Sequence, residues 1–154
     1  MMYPFPEHVA PTLVLLVGTL VSQFEGAVPG ATVRVTEGHR PNAVQTAYYA
    51  QGRKPLDEVN RLRVAAGLAP LGTAENAYII TKALPGASKH NSDPARAVDL
   101  VVVCRGTVDW SSRADCDKDG VPDYRELGEL GERLGLKWGG RFKGFPDVGH
   151  LELP

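Results

Sequence analysis

Ala97-Val98-Asp99-Leu100-Val101-Val102-Val103 is the stretch whose reading sets the fold. Alternation puts Val98, Leu100 and Val102 on one face, and Ala97, Val101 and Val103 on the other together with Asp99. A strand that is apolar on both faces is covered on both, so it reads as a central strand. Asp99 is the exception. An ionised carboxylate among apolar side chains costs on the order of several kcal/mol unless something pairs with it. A metal ion is one such partner and an arginine is the other.

Working outward, Pro11 suits a first helical turn, and Leu13, Leu16, Val17, Leu20, Val21 and Phe24 follow at helical spacing. Residues 32–37, with Val33 and Val35 alternating, read as a strand, and 43–51 as a helix stopped by Gly52. A helix over 56–66, a loop over 67–76 and a short strand over 78–82 precede the central strand. Beyond it, 124–136 reads as a helix with Leu127, Leu130 and Leu134 on one face, and 150–153 as a closing strand. The expected class is α+β: a small, mainly antiparallel sheet flanked by helices, one domain over 1–154 with its metal site at the sheet.

The 154 residues carry 17 Lys+Arg against 18 Asp+Glu, a net charge of -1. That balance argues against a general nucleic-acid binder, which needs a basic excess to displace counterions. The apolar run 13–21 is too short to span a bilayer and has no basic residue before it, so it reads as a buried helix, not a signal peptide or membrane anchor. Cys104 and Cys116 are too few for a disulfide scaffold and are expected to stay reduced, with a single bridge between them the alternative.

Two segments hold the residues that suit Asp99. One is Ser88-Lys89-His90-Asn91-Ser92-Asp93-Pro94-Ala95-Arg96-Ala97-Val98-Asp99, and the other is Asp147-Val148-Gly149-His150. Two imidazoles and one carboxylate, plus a second carboxylate three residues before the last imidazole, make up the inventory of a catalytic zinc site.

These segments resemble the zinc D-alanyl-D-alanine carboxypeptidase and L-alanyl-D-glutamate endopeptidase family, which includes VanY-like enzymes and many bacteriophage endolysins. The resemblance runs from about Val33 to Leu153. It implies His90, Asp99 and His150 as zinc ligands and Asp147 as the general base. Thr36-Glu37-Gly38-His39-Arg40 resembles a further family segment and implies that Arg40 stabilises the tetrahedral intermediate. Tyr49-Ala50-Gln51-Gly52-Arg53 and Trp138-Gly139-Gly140 are similar to family segments as well, so that Ser88, Gln51, Arg53 and Trp138 are the implied substrate-binding positions. The His90–Asp99 interval is longer than the family's common form and lacks its glycine.

Asp115-Cys116-Asp117-Lys118-Asp119-Gly120-Val121-Pro122-Asp123-Tyr124-Arg125-Glu126 fits the EF-hand loop pattern. Asp115, Asp117, Asp119, Asp123 and Glu126 supply side-chain oxygens, and Val121 a backbone carbonyl. Calcium binding is one reading. The other is a polar loop whose aspartates cap the next helix.

The expected function is a zinc peptidoglycan peptidase of endolysin type, cutting the stem peptide at the L-alanyl-D-glutamate bond. A D-alanyl-D-alanine carboxypeptidase or dipeptidase is the rival enzyme. A calcium-binding module with a structural zinc is the non-catalytic rival, but no fourth Cys or His closes such a site. A monomer is expected, held in the host cytoplasm until a separate pore releases it to the cell wall.

Overall fold

The computed structural model describes residues 7–154. Its elements are α1 (Pro11–Ala27), β1 (Ala31–Glu37), α2 (Asn42–Ala50), α3 (Leu56–Ala65), β2 (Ala97–Cys104), β3 (Thr107–Asp109), α4 (Asp123–Arg133), β4 (Lys137–Trp138) and β5 (His150–Glu152). Short 3₁₀ turns occupy Glu75–Ala77 and Gly139–Arg141. The class is α+β with an antiparallel sheet, as expected.

The chain divides into two compact units: 1–39 with 93–154, and 40–92. The first holds the whole sheet. Strands run in the order β1-β2-β5-β4, every pairing is antiparallel, and β3 also pairs with β2. β1 takes one edge of β2 along its length, while β5 and β3 share the other, against Ala97–Asp99 and Val102–Cys104 respectively. β2 is therefore central, as its two apolar faces require.

The Val98, Leu100 and Val102 face of β2 joins Leu13, Val17, Leu20 and Phe24 of α1, Leu127 of α4, and Leu151 of β5 in one core. These eight β2, α1 and α4 side chains are each at most 2% exposed and all branched or aromatic, so the amphipathic periods of strand and helix converge on the same interior. Among the described residues no helix is long and apolar enough to cross a membrane.

In the unit 40–92, α2 and α3 bury Ala47, Ala50 and Val59. The Asn60 side chain closes the following loop by accepting from the Leu71 N–H (2.7 Å) and donating to the Leu71 carbonyl (3.0 Å).

Three sequence expectations need correction. Residues 78–82 form no strand; Tyr78, Ile79 and Ile80 are exposed, and no neighbouring strand among the described residues pairs with their backbone. The last helix stops at Arg133, three residues early, where Gly135 turns the chain with φ +91°. Cys104 and Cys116 are joined as a disulfide, because the loop after β3 returns to the end of β2. β3 and β4 were not foreseen, being three and two residues long.

Candidate metal centre

Asp99 and His150 lie directly opposite one another in the antiparallel register of β2 and β5. Opposed residues share a face, so the strand pairing alone brings their side chains together. His150 Nδ1 lies 3.1 Å from Asp99 Oδ1. Two residues further along β5, on the same face by strand alternation, Glu152 Oε2 lies 2.8 Å from His150 Nε2.

This arrangement suits a zinc ion. Ligands bound at about 2.0–2.2 Å in a tetrahedron stand roughly 3.3 Å apart, close to the Asp99–His150 spacing. A carboxylate on the far ring nitrogen is the usual outer partner of a metal-bound histidine, fixing its tautomer and ring orientation. Burial lowers the His150 pKa, but hydrogen bonds to Asp99 and Glu152 and the charges of Asp99 and Asp147 outweigh it and bring it to about 9. Carboxylates that hold a proton this firmly make an equally attractive setting for a cation. Glu152 was missed in the sequence reading, although its place two residues after His150 on a strand is the signal that finds it.

Asp147 is exposed, and its position is set by the Trp138 segment. The Asp147 N–H donates to the Gly139 carbonyl (2.9 Å), and the His150 N–H donates to the Asp147 carbonyl (3.2 Å). The Trp138 indole N–H donates to the Val148 carbonyl (2.9 Å). A Cβ on Gly139 would come within 2.4 Å of the Asp147 carbonyl oxygen, so this close approach requires glycine. Trp138 itself is 7% exposed, and a Cβ on Gly128 or Gly140 would strike its ring at 2.1 or 2.3 Å. Its indole is thus packed against the two glycines while it holds the Asp147–His150 turn.

The unit 40–92 carries the upstream residues. His90 is 2% exposed, and its carbonyl accepts from the Arg40 N–H (2.8 Å). Asn91 Nδ2 donates to the Arg40 carbonyl (2.9 Å), while Ser88 Oγ accepts from the His90 N–H (3.2 Å). Arg40 and His90 are therefore fixed to each other through backbone, with Ser88 shaping the turn. The Arg40 guanidinium donates to Gln45 Oε1 (2.8 Å) and lies 5.0 Å from the Tyr48 ring centre. Gln45, fully buried, is anchored in turn by donating to the Ala83 carbonyl (2.7 Å). Gln45 and Asn91 went unnoticed in the sequence because nothing in their spacing marks them.

Gln51 and Arg53 serve this unit's own structure. Gln51 is buried and donates to the Glu75 carbonyl (3.0 Å). Arg53 donates to the carbonyls of Tyr49 (2.6 Å) and Thr81 (3.0 Å), with its guanidinium 3.9 Å from the Tyr49 ring centre.

In the acidic loop, carboxylate oxygens of Asp115, Asp117 and Asp123 lie within 4.8 Å of one another. Asp119 turns its Oδ1 to the Val121 N–H (2.7 Å). Burial first, then repulsion from Asp119, Asp117, Asp123 and Asp115, pushes the Glu126 carboxyl up to about 7. β3, not a helix, leads into this loop.

Residues 82–153 match the peptidase M15 family model described as D-alanyl-D-alanine carboxypeptidase. This segment is similar to the M15 peptidases. It contains His90, Asp99, Asp147 and His150. A curated relative, the peptidoglycan L-alanyl-D-glutamate endopeptidase CwlK of Bacillus subtilis (strain 168), is 30% identical over 125 residues, 80% of this chain. The chain spans 62% of that relative's length.

Two solved structures share the fold. The Serratia marcescens L-Ala D-Glu endopeptidase ChiX superposes with a TM-score of 0.52 at 19% identity, over 96% of this chain and 81% of its own. The D,D-pentapeptidase VanY of a VanB-type resistance cassette, solved in complex with Zn(II), gives 0.52 at 17% identity, over 99% and 76%.

Proposed function

We propose that this chain is a zinc peptidase of peptidoglycan, hydrolysing the L-alanyl-D-glutamate bond of the stem peptide. The observation that carries the reading is the Asp99–His150–Glu152 row: two ligand atoms at ligand-to-ligand spacing, with a carboxylate behind the imidazole. His90 is proposed as the third ligand, giving the two-histidine, one-carboxylate set of hydrolytic zinc sites. The metal supplies Lewis-acid polarisation of the scissile carbonyl and a water acidified to near neutral pH.

The chain's own residues supply the rest. Asp147, exposed on the turn before His150, takes the proton of the attacking water and returns it to the leaving amine. Arg40, its guanidinium held by Gln45 Oε1, is assigned to stabilise the developing oxyanion with its positive charge. Glu152 keeps the His150 ring from turning.

The bond assignment draws on the CwlK likeness, and digestion of purified peptidoglycan tests it. Products with a new N-terminal D-glutamate are expected. Release of free D-alanine instead would select a carboxypeptidase, the activity in the matched family's description. No cleavage by zinc-loaded protein would end the peptidase reading. An endolysin role is part of the proposal, and the Cys104–Cys116 bridge supports action on the oxidising side of the membrane. Clearing of wall-exposed cells by added protein is the expected result.

A further inference from the structure

The loop 115–126 has two buried oxygens that nothing in the protein satisfies. Asp123 is wholly buried; its Oδ2 accepts from the Cys116 N–H (2.9 Å), but its Oδ1 has no hydrogen-bond partner. Glu126 Oε2, one helical turn on, is likewise buried without a partner. Leaving one such acceptor unpaired costs on the order of 1–3 kcal/mol, more when it is charged. Asp123 turns toward Asp115 and Asp117, whose carboxylates approach within 4.8 Å of it. Carboxylates crowded together, with orphaned oxygens among them, match a space intended for a cation.

We propose that the loop 115–126 binds one calcium ion through Asp115, Asp117, Asp119, Asp123 and Glu126 and the Val121 carbonyl. The donor set is all oxygen and too acidic and too large for magnesium's compact octahedron, while six to eight oxygens suit calcium. The ion satisfies Asp123 Oδ1 and Glu126 Oε2 and cancels the repulsion among the five carboxylates. Its framework is already in place: the Gly120 N–H donates to Asp115 Oδ2 (3.0 Å), with Gly120 at φ +92°.

The loop is also tied to the sheet that carries Asp99. Cys116 is bonded to Cys104 at the end of β2, and the Arg105 guanidinium donates to the Cys116 carbonyl (3.1 Å). Tyr124, next to Asp123, accepts from the Val102 N–H (3.1 Å) and donates to the Asp109 carbonyl (2.6 Å). Calcium therefore acts as a stabiliser of the β2–β3–α4 region, and its binding is separable from zinc and from peptidase activity.

Calorimetric titration of the full chain, zinc-loaded, with calcium chloride tests this. One equivalent is expected to bind, raising Tm by roughly 5–10 °C at a hundredfold excess over Kd. Glu126→Gln and Asp117→Asn are each expected to weaken binding at least tenfold, with Glu126→Gln no less stable than the parent without calcium. His150→Ala is expected to bind calcium as before, which keeps this inference distinct from the zinc reading. No uptake at about 10 mM calcium, unchanged binding by both loop variants, or an equal response to magnesium would overturn it.

Discussion

Asp99 and His150 meet because two strands pair in register, whereas Asp115, Asp117 and Asp123 meet because a loop folds back on its own N–H groups. In the sheet Asp99 is paired with Glu37 of β1 on one side and His150 of β5 on the other, and a third residue, Glu152, orients the imidazole. In the loop these three side chains are all carboxylates, close enough to repel one another, and pinned by one disulfide and one buried aspartate. A rigid mixed N/O set suits a small Lewis acid, while a yielding, oxygen-only set suits a larger hard ion. On the proposed readings, the difference separates a site for chemistry from one that supports the structure around it.

The sharpest way to break that contrast is at the sheet. His150→Ala is expected to lose both bound zinc and hydrolysis, by more than the roughly 10–100-fold of an outer-shell change, measured by metal analysis and product release. Asp147→Ala should keep its zinc and lose about 10²–10⁴ in rate; full activity in this variant would remove Asp147 from the mechanism. Glu152→Ala should weaken zinc binding about 10–100-fold, because His150 loses its orienting partner.

Smaller effects sharpen the packing around these residues. Gly128→Ala in an exposed helix would add up to about 1 kcal/mol of stability. Here its Cβ meets the Trp138 ring at 2.1 Å, so a loss of about 1–3 kcal/mol is expected in denaturant titration. At the loop, the Glu126 carboxyl is raised from 4.5 to about 7 in the folded chain. A carboxyl with a raised folded pKa holds a proton that the unfolded chain releases, so it favours folding as pH falls through 7 and opposes it above. Calcium-free protein should therefore gain Tm relative to Glu126→Gln between pH 8 and pH 5.5, and added calcium should reverse that trend. Parallel Tm curves for the two proteins would contradict it.

The central strand and the long helices were legible because their apolar periods are strong and repeat over many residues. β3 and β4 were not, since two or three residues carry no period. Residues 78–82 looked like a strand by composition, yet a strand exists only where a neighbour pairs with it. The family resemblance marked Trp138 as a substrate position, but only the packing against Gly128 and Gly140 shows that it also supports the Asp147 turn.

The sequence by itself offered the side chains able to hold metal, with the family resemblance marking His90, Asp99 and His150 and the loop pattern marking the acidic residues 115–126. Tertiary structure alone decided how those donors are held. The β2–β5 register sets Asp99 opposite His150 and puts Glu152 behind the ring, while the return of the loop to β2 joins Cys104 to Cys116. Residues distant in the chain have no local signal for these contacts, because backbone pairing and burial, not sequence neighbours, bring them together.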